Sequence, residues 1–320
     1  MPGLITHYSF ARDIALSKDN SSYLEAYFLG AQGPDPFMYY AQLKKRPNKL
    51  EVRDYGGYIH HHDPSKLYAK MFEYAYSSPW KNLLFAYLEG VMTHYSLDRF
   101  CHPYIFYKTG FSKDKSKAKY YFASHVKFES YLDVIIARKK KVLSYKFNRY
   151  EEVKEDELRI ISKMWFDVTK EVYGFDYIKE DSFYLSAIDH YKTLNFLNRV
   201  TWFKKALIRI VMGKGALARS FVYPRRFNKI EKDLDYLNEK KEIWLDPYDG
   251  RERNESFLKL EEKARDYYFE LEKLINKSRG GIYIEDELRS LMDNLDHDGK
   301  PIGTEFSHFK QIWPSFPNLP

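Results

Sequence analysis

Apolar side chains recur along this chain at intervals of three and four residues, and no segment shows the sustained alternation of a half-buried strand, so the pattern predicts an all-α, multi-helix bundle. Residues 20–29 open with Asn20 and Ser21, which can cap free amides, and the helix ends at Gly30. The stretch Gly30-Ala-Gln-Gly-Pro-Asp-Pro36 is then a loop, with Asp35 held in a rigid turn between Pro34 and Pro36. A second helix runs from Pro64 to about Ser77. A third starts at Pro79, carries Leu83, Leu84, Tyr87, Leu88, Val91 and Tyr95 at helical spacing, and is expected to stop at Pro103. Residues 115–141 form a fourth, with Arg138 and Lys139–Lys141 at the negative end of its dipole. Further helices are expected over 153–173, 181–212, 225–240, 255–277 and 284–293, and a surface tail over Trp313–Pro317.

Composition narrows the class. The chain has 320 residues, 44% hydrophobic and 30% charged, with a single cysteine, Cys101. That is enough apolar material for a core without disulfides, and far from the composition of disordered chains. No run of about 18 apolar residues exists, so no membrane-spanning helix is expected. The first residues, Met-Pro-Gly-Leu-Ile-Thr-His, lack a basic and then apolar leader, which makes a cytoplasmic location the expectation. The formal charge of +7 is mild. Aromatic residues make up 18%, from 29 Tyr, 23 Phe and 5 Trp, which reads either as compositional bias or as an aromatic-lined cleft.

The chemistry is carried by histidines. Seven of the ten lie between positions 7 and 125: His7, His60, His61, His62, His94, His102 and His125. His94 and Asp98 are four residues apart in the third helix, a rotation of roughly 40°, so both leave one face. His125 and Glu129 repeat the spacing on the fourth helix, and His102 extends the first stripe by another turn. A single such pair is most often a surface contact. Two pairs flanked by Leu97, Phe100, Val126 and Phe128 instead face inward, where buried charge requires a partner and a cation is the economical one. Imidazole and carboxylate donors suit zinc, and one thiol does not make a thiolate site.

These residues resemble the zinc-dependent phospholipase C family of bacteria, the alpha-toxin type, which shares an all-helical fold with zinc-dependent single-strand-specific nucleases. The resemblance rests on His94-Tyr-Ser-Leu-Asp98 followed by His102-Pro103, on His125-Val-Lys-Phe-Glu129, and on His60-His-His-Asp63-Pro64, and it covers about residues 5–140. It implies that Asp35, His60, His94 and Asp98 hold one zinc. His102, His125 and Glu129 hold a second, and His7 with a bridging Asp98 forms part of a third. His60 is preferred to its two neighbours because the family ligand stands three residues before Asp-Pro. Two or three zinc ions are implied, with Asp35 also serving as the catalytic base. Compared with the family, the step from Asp98 to His102 is shorter and that from Asp35 to His60 longer, and six residues precede His7 where the secreted enzymes ligate a metal with their first residue.

The implied activity is hydrolysis of a phosphodiester, foremost phospholipase C-like cleavage of a phospholipid. The alternatives are a nuclease acting on single strands and a non-catalytic helical protein stabilised by metal. Residues 202–226 interleave Trp202, Phe203, Leu207 and Ile208 with Lys204, Lys205, Arg209 and Arg219, and stand as a candidate for peripheral membrane contact as well as for a core helix with a cationic edge. No obligate protein partner is evident. Residues 1–215 are expected to form the metal-bearing catalytic domain and 216–320 a helical extension packed on it, without a motif of its own. Asp296-His297-Asp298-Gly299 lacks the remaining ligands of a calcium loop, Asp189, His190 and His308 have no partners in sequence, and Gly213-Lys214-Gly215 falls short of a phosphate loop.

Overall fold

The computed structural model describes residues 3–17, 23–42, 44–111, 115–142, 153–198 and 234–309. Its helices are α1 (Leu4–Ser17), α2 (Leu24–Gly30), α3 (Lys49–His61), α4 (Ser65–Ser77), α5 (Lys81–Thr109), α6 (Lys115–Lys139), α7 (Glu155–Tyr173), α8 (Ser182–Asn198), α9 (Phe257–Arg279) and α10 (Glu285–Met292). Asp35–Tyr39 is a short 3-10 helix. Two-residue strands, β1 (Trp244–Leu245) and β2 (Glu252–Arg253), pair antiparallel across a turn that ends at Gly250. The expected all-α bundle is what the chain forms.

Helix α5 is the axis. Over 29 residues it buries side chains on every face, from Leu83 and Leu84 to Tyr104 and Ile105, as a helix enclosed by others must. Helices α9 and α2 pack most extensively along it, with α4, α1, α6 and α7 completing the surround. At the α2 crossing two glycines meet. A Cβ on Gly30 would lie 1.9 Å from the Tyr87 carbonyl oxygen and one on Gly90 2.0 Å from that of Tyr27, so the backbones touch where any side chain would separate them.

Several helices differ from the sequence expectation. Two were not anticipated, α1 and α3. The buried face of α1 includes Thr6, His7 and Ser9, and α3 contains Gly56, Gly57 and the histidine run, so polar and helix-weakening residues interrupt the apolar stripe. The expected loop is a run of turns through Pro34 that passes into the 3-10 helix, whose first turn holds Asp35. Helix α5 does not stop at Pro103 but continues to Thr109. Proline removes the hydrogen bond that would reach the Arg99 carbonyl. That carbonyl is instead covered by Gly299, where a Cβ would lie 2.2 Å from the Arg99 oxygen. Residues 234–240 are turns, not the end of a helix. The remainder of the helix expected over 225–240, the part of 181–212 beyond Asn198, the segment 202–226 and the tail 313–317 lie outside the described residues.

Much of the aromatic content fills the interior. Trp165, Trp244, Tyr55, Tyr68, Tyr87, Tyr95, Tyr104 and Tyr268 are among the largest fully buried side chains. Phe37, two residues after Asp35, packs edge-on against Tyr55 and Trp165, with ring centroids 5.0 and 5.2 Å away. Tyr87 accepts the Trp165 indole N–H at 2.7 Å. This aromatic cluster fixes the 3-10 helix, and so Asp35, against the core.

Candidate metal centre

Asp98 is fully buried midway along α5, and four imidazoles surround it. His7 Nε2 lies 3.2 Å and His102 Nε2 3.6 Å from Oδ1, while His94 Nε2 lies 3.0 Å and His60 Nε2 3.8 Å from Oδ2. His94, Asp98 and His102 form one stripe because the helix persists through Pro103. His60 comes from the end of α3 and His7 from α1, whose ring stacks on His94 with centroids 4.2 Å apart. Asp35 completes this side, with Oδ1 3.3 Å from His60 Nε2 and 3.8 Å from His94 Nε2.

The second group stands one helix away. His125 Nε2 and Glu129 Oε1 of α6 are 2.8 Å apart, and His102 is close enough to share an ion with them. Among the described residues, four sets of donor atoms are each compact enough to hold an ion: His7, His94 and Asp98; Asp35, His60 and His94; His102, His125 and Glu129; and, with His61 exposed, His61, Asp296 and Asp298. All eight residues singled out from the sequence are buried and fall into these sets. Of the three consecutive histidines, His60 turns inward. His61 is half exposed and faces Asp298 at 3.1 Å, and His62 is exposed, stacked on Tyr58.

Proton positions follow from the other ring nitrogens. His60 Nδ1 lies 2.7 Å from the Gly56 carbonyl oxygen, His94 Nδ1 3.2 Å from that of Ala31, and His102 Nδ1 3.0 Å from that of His297. A carbonyl only accepts, so each Nδ1 carries the hydrogen, and in the neutral ring Nε2 presents a bare lone pair. Those lone pairs converge on carboxylate oxygens. Asp98 Oδ1 and Oδ2, Asp35 Oδ1 and the Nε2 atoms of His7, His60, His94 and His102 are buried without a well-aligned hydrogen bond. Lone pairs facing lone pairs at 3.0–3.8 Å repel unless a cation lies between them. The nitrogen and oxygen donors, backed by carbonyls that fix the tautomer, fit zinc.

Electrostatics agree for the carboxylates and for His7, whereas His60 is raised, its burial being outweighed by the Asp35 and Asp98 carboxylates. Burial alone would push the Asp98 carboxyl up, but His102, His94 and His7 outweigh it and hold the group well below the usual carboxylate range. Asp35 is likewise lowered, burial being overcome by His94 and His60, and Glu129 by His125. Burial takes His7 down to about 4, with His94 adding to the effect, so that imidazole is neutral near pH 7. Both carboxylates and neutral imidazoles are the forms that bind metal.

Some supports were not legible in the sequence. Asp133 on α6 accepts from the Ile5 and Thr6 amides and from the Thr6 hydroxyl at 2.7–3.2 Å, which fixes the first turn of α1 and hence His7. Gly33, at φ +52°, faces the His94 ring, and a Cβ there would lie 2.4 Å from Cδ2. The segment 296–300, set aside as an incomplete calcium loop, closes over the site. His297 is fully buried, with its ring centroid 4.8 Å from that of His60. Lys300 pairs with Asp296 through its ammonium group and so supplies the positive charge of that turn from within the chain. Partners also exist for the other residues left alone by the sequence: Asp189 pairs with Arg46, His190 packs on Tyr39, and His308 lies 3.0 Å from the Ser307 hydroxyl. Cys101 is buried in the core, as expected of a small apolar residue.

Among known proteins, the family model described as zinc dependent phospholipase C matches residues 6–175. No curated protein and no solved structure matches the chain. Among the described residues, no helix is long and apolar enough to cross a membrane. The matched region contains His7, Asp35, His60, the α5 stripe and the α6 pair, and it spans more than half of the sequence: the chain belongs to the zinc dependent phospholipase C family.

Proposed function

We propose that this protein is a zinc-dependent hydrolase that cleaves the phosphodiester of a phospholipid in the manner of a phospholipase C. The observation that carries the reading is Asp98, a fully buried carboxylate encircled by four imidazole nitrogens, three of them on rings whose backbone carbonyl partners leave Nε2 directed at it. In this reading Asp35, His60, His94 and Asp98 hold one ion and His102, His125 and Glu129 another, while His7 and Asp98 contribute to a third. Zinc bound there supplies a nucleophilic water at neutral pH and neutralises charge that develops on the phosphoryl oxygens.

The chain's own groups do the rest. Asp35, ionised and placed at the edge of the cluster by the 3-10 helix, would receive the proton of the attacking water at the carboxylate oxygen that does not face His60 and His94. The carbonyls of Gly56, Ala31 and His297 keep His60, His94 and His102 in the tautomer that presents Nε2. Aromatic packing behind Phe37 stops Asp35 from turning away. No covalent intermediate on the protein is required.

The test is a parallel assay of zinc-loaded protein on phosphatidylcholine vesicles, a soluble chromogenic phosphodiester and single-stranded nucleic acid. Release of phosphorylated head group from the vesicles, with little turnover of nucleic acid, is expected. Preferential cleavage of the single strand would make the protein a nuclease. Stoichiometric zinc with turnover of none of the three would leave a metal-stabilised, non-catalytic protein.

A further inference from the structure

The turn at Asp296–Lys300 lies more than a hundred residues beyond the family match, yet it ties both halves of the metal cluster together. The His297 amide donates to the His60 carbonyl at 3.1 Å, fixing the end of α3. The carbonyl of the same residue receives His102 Nδ1–H at 3.0 Å. The Asp298 carboxylate stands against both sides, with Oδ1 3.1 Å from His102 Nδ1 and Oδ2 3.1 Å from His61 Nδ1. One buried dipeptide therefore touches the histidine of the Asp35 set through its backbone and that of the Glu129 set through backbone and side chain.

The turn is built to stay there. Asp296 accepts the Asp298 and Lys300 amides at 2.9 and 3.3 Å and pairs with the Lys300 ammonium, and Leu295 bridges Pro301 across its base. Gly299, at φ +74°, seats the turn on the Arg99 carbonyl that Pro103 leaves without a helical donor. The proline that was expected to end α5 thus creates the docking point, one residue after His102.

We infer that Asp298 is a positioning residue for the zinc subsite of His102, His125 and Glu129: a carboxylate behind a ligating imidazole that fixes the ring and raises its basicity. This inference rests on the zinc reading above. Carboxylates in that place commonly govern metal affinity, and their loss costs about 10- to 100-fold. Asp98, Asp35 and His60 do not contact Asp298 directly, so the other subsite should keep its affinity.

The experiment is competitive chelator titration of the full-length protein carrying Asp298→Ala or Asp298→Asn, with cobalt substitution to follow each subsite by its visible absorption. For Asp298→Ala, one zinc equivalent should weaken by about 10- to 100-fold while the others keep wild-type affinity. Asp298→Asn, which keeps the acceptor but not the charge, should fall between alanine and wild type. Unchanged affinity at every equivalent would overturn the inference. So would equal weakening of all equivalents together with a lower melting temperature of the zinc-free protein, the mark of a turn that only supports the fold. Absence of tight zinc in the wild-type protein would instead remove the zinc reading itself, an outcome separate from either.

Discussion

At the level of single residues, the account turns on two carboxylates with different duties. Asp98 contacts four imidazoles from three helices, so Asp98→Asn removes the charge around which the cluster is arranged. Purified Asp98→Asn protein should have lost at least one zinc equivalent by elemental analysis, and retention of full zinc would refute its role. Asp35 borders only one set, and Asp35→Asn should keep zinc while turnover falls about 10²- to 10⁴-fold, the usual scale for losing a general base. His190 offers a test away from the ligands. Burial lowers it from the ordinary 6.5 to about 4, so the folded state resists a proton that the unfolded state accepts. Its contribution to stability is complete above about pH 6.5 and lost as pH falls toward 4, and amounts to at most about 3 kcal/mol. Denaturant titrations across that window should show a shallower loss in His190→Gln, and an identical slope would count against the assignment. His94, Asp98, His102, His125 and Glu129 were legible because i,i+4 spacing on a helix is a local property of sequence, whereas His7, Asp35 and His60 came from the family resemblance. Asp298, Asp133 and the Ala31 carbonyl were not legible, since each reaches the cluster through a long-range contact whose local sequence is that of an ordinary turn or helix.

At the level of elements, the periodic stripes of α4, α7, α9 and α10 could be read directly, because each has one apolar face and a polar opposite face. Helices α1 and α3 escaped notice because they place polar ligands on the face that is normally apolar. Pro103 misled for a related reason: a proline removes one helical hydrogen bond, and here the helix continues with Gly299 packed against the Arg99 carbonyl while the Gly299 amide donates to the Asp296 carbonyl. Elements α2 and α5 approach closely at Gly30 against Gly90, which sets where the Ala31 carbonyl meets His94 Nδ1. Gly90→Ala would force a methyl group to within 2.0 Å of the Tyr27 oxygen. Chemical denaturation should show a loss of about 1–3 kcal/mol, typical of overpacking, accompanied by weaker zinc binding. A stable, fully loaded Gly90→Ala protein would mean that the crossing does not position His94.

At the level of the whole molecule, the bundle is an enclosure whose central helix carries the chemistry. Among the described residues, part of the aromatic content is core, in rings such as Trp165, Tyr55 and Tyr87 that wall the space behind Asp35. The +7 charge assigns no partner, and the basic, aromatic segment 202–226 lies outside the described residues. We propose that the C-terminal part acts with the first 215 residues as one catalytic body, since α9 packs along α5 and the turn at Asp296–Lys300 contacts His60 and His102. The family match shows the lineage through residues 6–175, and the geometry of Asp98 gives it a chemical reason. The most direct test of the central claim is the zinc content of the purified protein, measured by plasma mass spectrometry before and after chelation, with phosphodiester hydrolysis followed on the same samples. The account predicts two or three zinc ions per chain, loss of hydrolysis when they are stripped and its return on adding zinc. Protein that contains no stoichiometric zinc, or that hydrolyses the substrate equally well without it, would contradict the account.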